Sequence, residues 1–377
     1  MKWEVKKLSE VCTLQRGFDL PKRLREKGEY PLISSSGEID THCEAKVKSP
    51  GVVTGRSGSI GSLFFVEEDF WPLNTTLFVK DFHGNDPRFI FYLLKHFDLG
   101  RFATGTGVPT LNRNHVHDEK INITASLEEQ KRIVEILDES FAGIERAEAI
   151  ARQNLTNARE LFDKYLDQIF YKNKATWENK TIADICDGVE YGSSLKSLKI
   201  ETENSVPVLR MGNIQNGYLD WSDLVYTDNH EEIEKYNLNY NDVLFNRTNS
   251  DVHVGKTSIY KGERKAIFAG YLIRINYKKQ IINPDFLNFF LNSSIARNHG
   301  YSVMSKSVNQ ANINGTKLKS YPIYFPSLEE QSEIVEKLYC LKTEAKRLEE
   351  IYQRKIEALG ELKQSILQKA FSGQLTQ

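Results

Sequence analysis

The sequence predicts a mixed α/β protein of the α+β class, an internal repeat in which two globular lobes of short strands and helices are separated by two long helices. The helices are expected to lie antiparallel as a coiled coil, with a pseudo-twofold axis relating the two halves. Two observations lead there. Residues 126–137, SLEEQKRIVEIL, and 327–338, SLEEQSEIVEKL, share an opening pentapeptide 201 positions apart. Each copy then runs for 45 residues without proline, with glycine only at Gly143 and Gly360. A helix of that length reaches roughly 68 Å, longer than a domain of this size is wide.

Each copy opens as a helix. Ser126 and Ser327 are N-cap residue types, with Glu129 and Glu330 at the capping-box spacing. The paired glutamates of each first turn favour the positive end of the helix dipole. Apolar residues then step by four and three through Leu137, Phe141, Ile144, Ala151, Leu155, Ala158, Phe162, Tyr165 and Ile169, interrupted at Glu148. The second copy offers Leu338, Leu341, Ala345, Leu348, Tyr352, Leu359, Leu362 and Ile366, with Lys355 in the gap. Such seams need a partner, and each helix supplies one for the other. The plainer alternative is two amphipathic helices in separate domains, but helices of globular domains rarely exceed about 25 residues.

Composition bounds the rest. A chain of 377 residues, 40% hydrophobic, can bury two or three domain cores. Cys12, Cys43, Cys186 and Cys340 have no short pair spacing, which argues against a disulfide framework or a structural zinc site. No apolar run approaches 18 residues and no leader precedes Trp3, so a soluble cytoplasmic protein without a membrane partner is expected. The net charge of −1 argues against a generic polyanion binder. It divides into +1 for residues 1–125, −3 for 126–173, +2 for 174–326 and −1 for 327–377, so acid gathers on the helices. These four segments are the expected domains: a lobe, a helix, a lobe and a helix.

The lobes repeat as well. WEVKKLSEVC at 3–12 is echoed by WENKTIADIC at 177–186, and Pro31-Leu32-Ile33 by Pro207-Val208-Leu209, each leading to an expected glycine turn at Gly37 or Gly212. Val52 and Val53 precede Arg56 as Val243, Leu244 and Phe245 precede Arg247. Proline-headed helices are expected from Pro87 and Pro284. Last, 105–116 aligns with 305–316, matching Val108, Asn112 and Asn114 to Val308, Asn312 and Asn314. From tryptophan to helix start is 123 residues in the first half and 150 in the second, so the lobes have diverged where the helices have not. The join QIFYKNKATWENK resembles what fusing AFSGQLTQ to MKWEVKK would give, a circular arrangement.

Together, SLEEQ followed by Ile133-Val134 and Ile334-Val335, VVTGRSGSIG at 52–61, FWPLNTTLFV at 70–79, ATGTGVPTLNR at 103–113 and the terminal AFSGQL resemble the specificity subunit of a type I DNA restriction–modification system. The resemblance covers essentially the whole chain. It implies two target-recognition domains, each reading one half of a bipartite double-stranded DNA target, held apart by two antiparallel helices. It further implies that the helices dock methyltransferase subunits, and that translocase/endonuclease subunits join the complex. The second lobe departs from the pattern, with DVLFNRTNSDVHVGK at 242–256 in place of GRSGSIG. A rigid spacer suits half-sites at fixed separation, and two similar helix surfaces suit two copies of one partner.

Candidate DNA contacts in the first lobe are Arg56, Ser57 and Ser59, in a glycine-rich loop able to approach DNA closely. Arginine can take guanine O6 and N7 together; an ion pair within the domain is its rival role. A second group is Thr104, Thr106, Thr110, Asn112, Arg113 and Asn114, where hydroxyls suit phosphates and asparagine suits adenine. A turn that only hydrogen-bonds itself would have the same composition. The second lobe offers Arg247, Thr248, Asn249 and Ser250, then Lys306, Asn309, Gln310 and Asn312. Tyr191 and Tyr271 are aromatic candidates that fit core or rim better.

Chemistry is not expected from this chain, nor a cofactor or metal. Asp251, Glu263 and Lys265 have the order used by a class of Mg²⁺ nucleases, a pattern that chance supplies readily at 27% charged residues. His115 and His117 alternate as on a strand without further ligands. Gly105-Thr106-Gly107 lacks the rest of a dinucleotide loop. No Asn/Asp-Pro-Pro-aromatic tetrapeptide occurs, so methyl transfer must come from another chain. The competing functions are a Mg²⁺-dependent DNA-cleaving enzyme and a structural coiled-coil scaffold for protein interactions.

Overall fold

The computed structural model describes residues 3–104, 109–215, 217–307 and 310–375. The chain forms two compact units, Met1–Gln153 with Tyr352–Gln377, and Asn154–Ile351. Both long helices are continuous, Leu127–Asn173 and Leu328–Phe371, and each contributes to both units.

In the first unit, strands are ordered Thr13–Arg16, Thr76–Asp81, Gly51–Gly55, Leu63–Val66 in one antiparallel sheet. A second sheet is ordered Gly37–His42, Tyr30–Ser34, Trp71–Pro72, its last pair parallel. The second unit repeats both orders. Cys186–Tyr191, Leu272–Tyr277, Val243–Asn246 and Thr257–Ile259 form the antiparallel sheet, and Val225–Thr227, Val206–Leu209 and Ile267–Phe268 the smaller one. In each unit the opening strand pairs with the strand before a long helix, Trp3–Lys7 with Lys120–Thr124 and Glu178–Thr181 with Pro322–Phe325.

The proline-headed helices form as expected, at Pro87–Phe97 and Pro284–Asn292, with Asp86 and Asn283 as N-caps accepting from two amides each. Their apolar faces fill the cores. In the first unit Phe89 and Leu93 meet Val52 and Leu77 of the sheet, Leu137 and Phe141 of one long helix, and Leu367 and Phe371 of the other. In the second, Phe286 and Phe290 meet Phe245 and Ile273, with Phe170 and Leu338. Phe170 lies 5.3 Å from the ring of Phe286 and 5.2 Å from Phe290.

The antiparallel course is visible in each unit. Lys363 meets Glu148 at 3.3 Å in the first, while Asn122 donates to the carbonyl of Phe371 at 3.4 Å. In the second, Arg159 meets Glu349 at 3.3 Å and Lys342 lies over the ring of Phe162 at 5.4 Å. The polar interruption expected at Glu148 is thus matched by a cation from the facing helix. The seam itself needs correcting near the helix ends. Tyr165 and Leu362 are 37% and 45% exposed, whereas Leu166, Phe170, Leu367 and Phe371 are buried. There the lobe, rather than the other helix, decides which face is covered.

The shared pentapeptide has a second purpose besides capping. Ser126 and Ser327 accept from the amides of Glu129 and Glu330 at 3.3 and 3.4 Å. The fifth residue is fully buried in both copies. Gln130 accepts from the amide of Asp86 at 2.9 Å and donates to Thr124 O and Asn85 Oδ1, both at 2.8 Å. Gln331 accepts from the amide of Asn283 at 2.8 Å and donates to Ile281 O and Pro326 O. Each glutamine therefore ties the start of a long helix to the start of the helix packed beside it.

Two local expectations are corrected. Gly212 sits in a single 3-10 turn, Met211–Asn213, whereas Gly37 has φ +107°. His115 and His117 belong to a short helix, Arg113–His117, capped by Asn112, so they do not share a face as on a strand.

Candidate nucleic-acid interface

The strand Gly51–Gly55 delivers Arg56 at its end, and Val243–Asn246 delivers Arg247. Both arginines are fixed by the same three backbone relations. Their amides donate to Thr75 O at 2.8 Å and to Tyr271 O at 3.0 Å. Their carbonyls accept from the amides of Leu111 at 2.8 Å and Ile313 at 2.9 Å. Their Nη1 atoms reach the carbonyls of Asn74 at 3.5 Å and Gly270 at 3.1 Å. The two positions are equivalent in the repeat although the surrounding loops differ in sequence.

This frame also corrects the alignment of the last motif. Leu111 corresponds to Ile313, and Asn112, the cap of Arg113–His117, corresponds to Asn314, the cap of Gly315–Lys319. The sequence match of Asn112 to Asn312 is two positions out. Val108 and Val308, also used in that match, lie outside the described residues.

Around Arg56, Ser57 bridges to Thr110, and Thr110–Leu111 pairs with Ala103–Thr104, whose Thr104 hydroxyl donates to Thr110 O at 3.4 Å. Arg56, Ser57, Thr104 and Thr110 are thereby brought together. No carboxylate pairs with Arg56 among the described residues, so the ion-pair role weighed for it is not found. Ser59 is exposed on the glycine loop, and its carbonyl is why residue 55 is glycine: a Cβ there would lie 1.9 Å from Ser59 O. Asn112 and Asn114 are exposed on the short helix, where the Asn112 side chain accepts from the amide of Asn114 at 3.0 Å. Arg113 turns back toward Leu14 O at 3.5 Å. Thr106 lies outside the described residues. His117 accepts from the amide of Leu14 at 2.9 Å through Nε2. Burial, then Arg113, lowers its pKa from the ordinary 6.5, favouring the neutral ring that can accept.

Around Arg247 the equivalent residues form a small sheet, Thr248–Asn249, Gln310–Asn312, Ser305–Ser307. It holds Thr248, Asn249, Lys306, Gln310 and Asn312 together, and Asn312 donates to the Thr248 hydroxyl at 2.7 Å. Ser250 donates its amide to Asn249 Oδ1 at 2.8 Å, and Lys306 lies 3.9 Å from Asp251. Asn309 lies outside the described residues. The Arg247 guanidinium stacks 4.7 Å from the ring of Tyr191, and its buried Nε has no partner among the described residues. Tyr191 and Tyr271 are 42% and 48% exposed, rim rather than core.

Sequence reading missed a cavity of about 500 Å³ beside this second cluster, lined in part by Arg210, Gln215, Asn249, His253, Lys256 and Tyr271. The available signal was the extra length of the second lobe. Elsewhere, Glu263 accepts from the amide of Lys261 at 2.9 Å. Among the described residues no group of three His, Cys, Asp or Glu could hold a metal ion, and no helix is long and apolar enough to cross a membrane.

Comparison with known proteins agrees with the repeat. The family model described as type I restriction modification DNA specificity domain matches residues 1–152 and 174–358. The putative type I restriction enzyme MjaX specificity subunit of Methanocaldococcus jannaschii is 30% identical over 199 residues, 52% of this chain and 45% of that protein. The type I restriction enzyme EcoKI specificity subunit of Escherichia coli is 29% identical over 191 residues, 50% and 41% of the two chains. The chain thus spans less than half the length of these curated relatives. Among solved structures, a chain from work on complex assembly and conformational transition of the type I R-M system has a TM-score of 0.78 at 17% identity, covering 99% of this chain and 98% of that one. The HsdS subunit from Thermoanaerobacter tengcongensis gives 0.64 at 18% identity, covering 99% and 97%. These two likenesses establish a shared fold. With the family model matched on both halves of the repeat, the chain belongs to the type I restriction modification DNA specificity domain family.

Proposed function

We propose that this chain is the DNA-reading and assembly subunit of a type I restriction–modification complex, working in the cytoplasm and itself without catalytic chemistry. The recognition domains are residues 1–125 and 174–326, each contacting one half of a bipartite double-stranded target. The helices, residues 126–173 and 327–377, set the spacing of the half-sites and dock methyltransferase subunits, two copies suiting two equivalent helix surfaces. Translocase/endonuclease subunits complete the complex.

The observation that carries this reading is the recurrence of one frame at Arg56 and Arg247. An arginine whose amide and carbonyl are both held, and whose guanidinium rests on a backbone carbonyl, is suited to read a base edge while polar residues nearby hold phosphates. In the first domain the residues proposed for these contacts are Ser57, Ser59, Thr104, Thr110, Asn112, Arg113 and Asn114, together with Thr106, which lies outside the described residues. In the second they are Thr248, Asn249, Ser250, Lys306, Gln310 and Asn312, together with Asn309, which lies outside the described residues. The mild basic charge of the domains fits sharing of phosphate neutralisation with partner subunits. Selection of duplexes from a random pool by the chain assembled with its methyltransferase partner tests the reading. Two short sequence blocks separated by an unspecified gap are expected. A single continuous block, or no enrichment, would contradict it.

A further inference from the structure

The two arginine frames are equivalent, but what stands beside them is not. Leu73 donates its amide to Ile33 O and Ala269 to Leu209 O, both at 2.8 Å, which makes Ser34 the counterpart of Arg210. In the first unit that position begins a closed turn. Ser34 donates to Gly37 O at 3.0 Å, and the turn presses on the glycine loop, where a Cβ on Gly58 would lie 3.1 Å from the Ser35 hydroxyl. In the second unit the same place opens into the cavity of about 500 Å³.

Three features of the cavity point to an acceptor-rich ligand. Arg210 is held at both ends, its amide donating to Asn213 Oδ1 at 2.8 Å and its Nη2 lying 3.3 Å from Asp223, while its buried Nε has no partner among the described residues. Lys256 pairs with no carboxylate among the described residues, and its Nζ donates to Gln215 Oε1 at 3.3 Å. Burial, then the charge of Arg297, lowers the Lys256 pKa, a cost that a bound anion or acceptor would relieve. Asn249, whose side chain sits in the Arg247 cluster, forms part of the same wall.

We infer that this cavity is a specificity-determining subsite of the second recognition domain, in which Arg210 and Lys256 donate to acceptor atoms of the second DNA half-site. The inference rests on the proposed DNA-reading role. It assigns to the second domain a contact made from Arg210, where the first domain has Ser34 at the start of a closed turn.

The test compares the full chain with its Arg210→Ala, Lys256→Gln and Arg247→Ala variants, each assembled with the methyltransferase partner. Methylated motifs in cells and duplex binding across a salt series are the readouts, with complex assembly as the folding control. If the acceptors belong to a base, Arg210→Ala or Lys256→Gln relaxes one position of the second half-site by about 5- to 150-fold and leaves the first unchanged. If they belong to phosphates, binding weakens for all sequences alike and the salt slope falls by about one. Either result supports the subsite. Variants that assemble and keep both half-sites and the wild-type salt slope would overturn it, while Arg247→Ala altering the second half-site would leave the DNA-reading role standing. Absence of any bipartite motif with the wild-type chain would overturn both.

Discussion

Glu148 and Lys363 meet at 3.3 Å across the two long helices, each side chain only 24% exposed. The seam calls for an apolar residue at Glu148, and its charge is accommodated because the facing helix supplies a cation and Arg152 a second one at 2.6 Å. Hydrogen bonds from Arg152, then Lys363, lower the Glu148 pKa from its ordinary 4.5.

A depressed carboxylate pKa stabilises the folded state above the unfolded value, and that contribution disappears as pH falls through the folded value. Glu148→Gln should therefore melt below the wild type at pH 7, with the difference shrinking once pH drops under about 4.5. Thermal unfolding at pH 7 and pH 3.5 checks this. A difference that persists unchanged at pH 3.5 would mean that packing, not charge, is what the substitution removes.

Gln130→Leu should destabilise the first unit, and Gln331→Leu the second. Each substitution strands the amide of the neighbouring helix cap and two acceptor groups, at about 1–3 kcal/mol for each buried group left unpaired. Denaturant melts measure the loss. Hydrogen exchange at Asp86 or Asn283 should accelerate in the matching variant alone. Equal protection in both variants would show that the glutamines are not the ties described.

Arg56→Ala should weaken or relax the first half-site by about 1–3 kcal/mol if the contact is to guanine, with the second half-site unchanged. Arg247→Ala should do the reverse. Binding to duplexes altered in one half-site at a time reads both. Loss spread evenly over the two half-sites would count against separate readers.

Four residues inserted into both long helices at matching depth add about 6 Å of helix to each. The gap between half-sites should lengthen by one or two base pairs while the half-sites keep their bases. An unchanged gap in the methylated motif would remove the helices from the role of ruler.

The parts of the fold legible in the sequence are those set by neighbours along the chain. Caps at Ser126 and Ser327, proline-headed helices at Pro87 and Pro284, and the apolar strands before Arg56 and Arg247 are all local signals, and all appear where expected. What was not legible depends on distant partners. Gln130 looks like one more polar residue of a first turn until Asn85 and Asp86 arrive from 45 and 44 positions away. Tyr165 keeps the heptad spacing, yet Leu166 is buried instead because the lobe covers that face. His115 and His117 fit a strand or one helical turn equally well over so short a span. The alignment of the Asn112 region failed for a related reason: only the bonds from Leu111 and Ile313 to the two arginine carbonyls fix its register. The cavity at Arg210, itself the counterpart of Ser34, takes much of its lining from the longer segment that follows, residues 211–223, where the first half of the repeat gives no guide.

The most direct measurement is the methylome of cells expressing this chain with its methyltransferase partner, set against cells lacking only this chain. A bipartite methylated motif that disappears with the chain is the predicted result, and it would supply both half-sites at once. An unchanged set of methylated sites, with the complex shown to assemble, would contradict the central claim that this chain selects the DNA sequence.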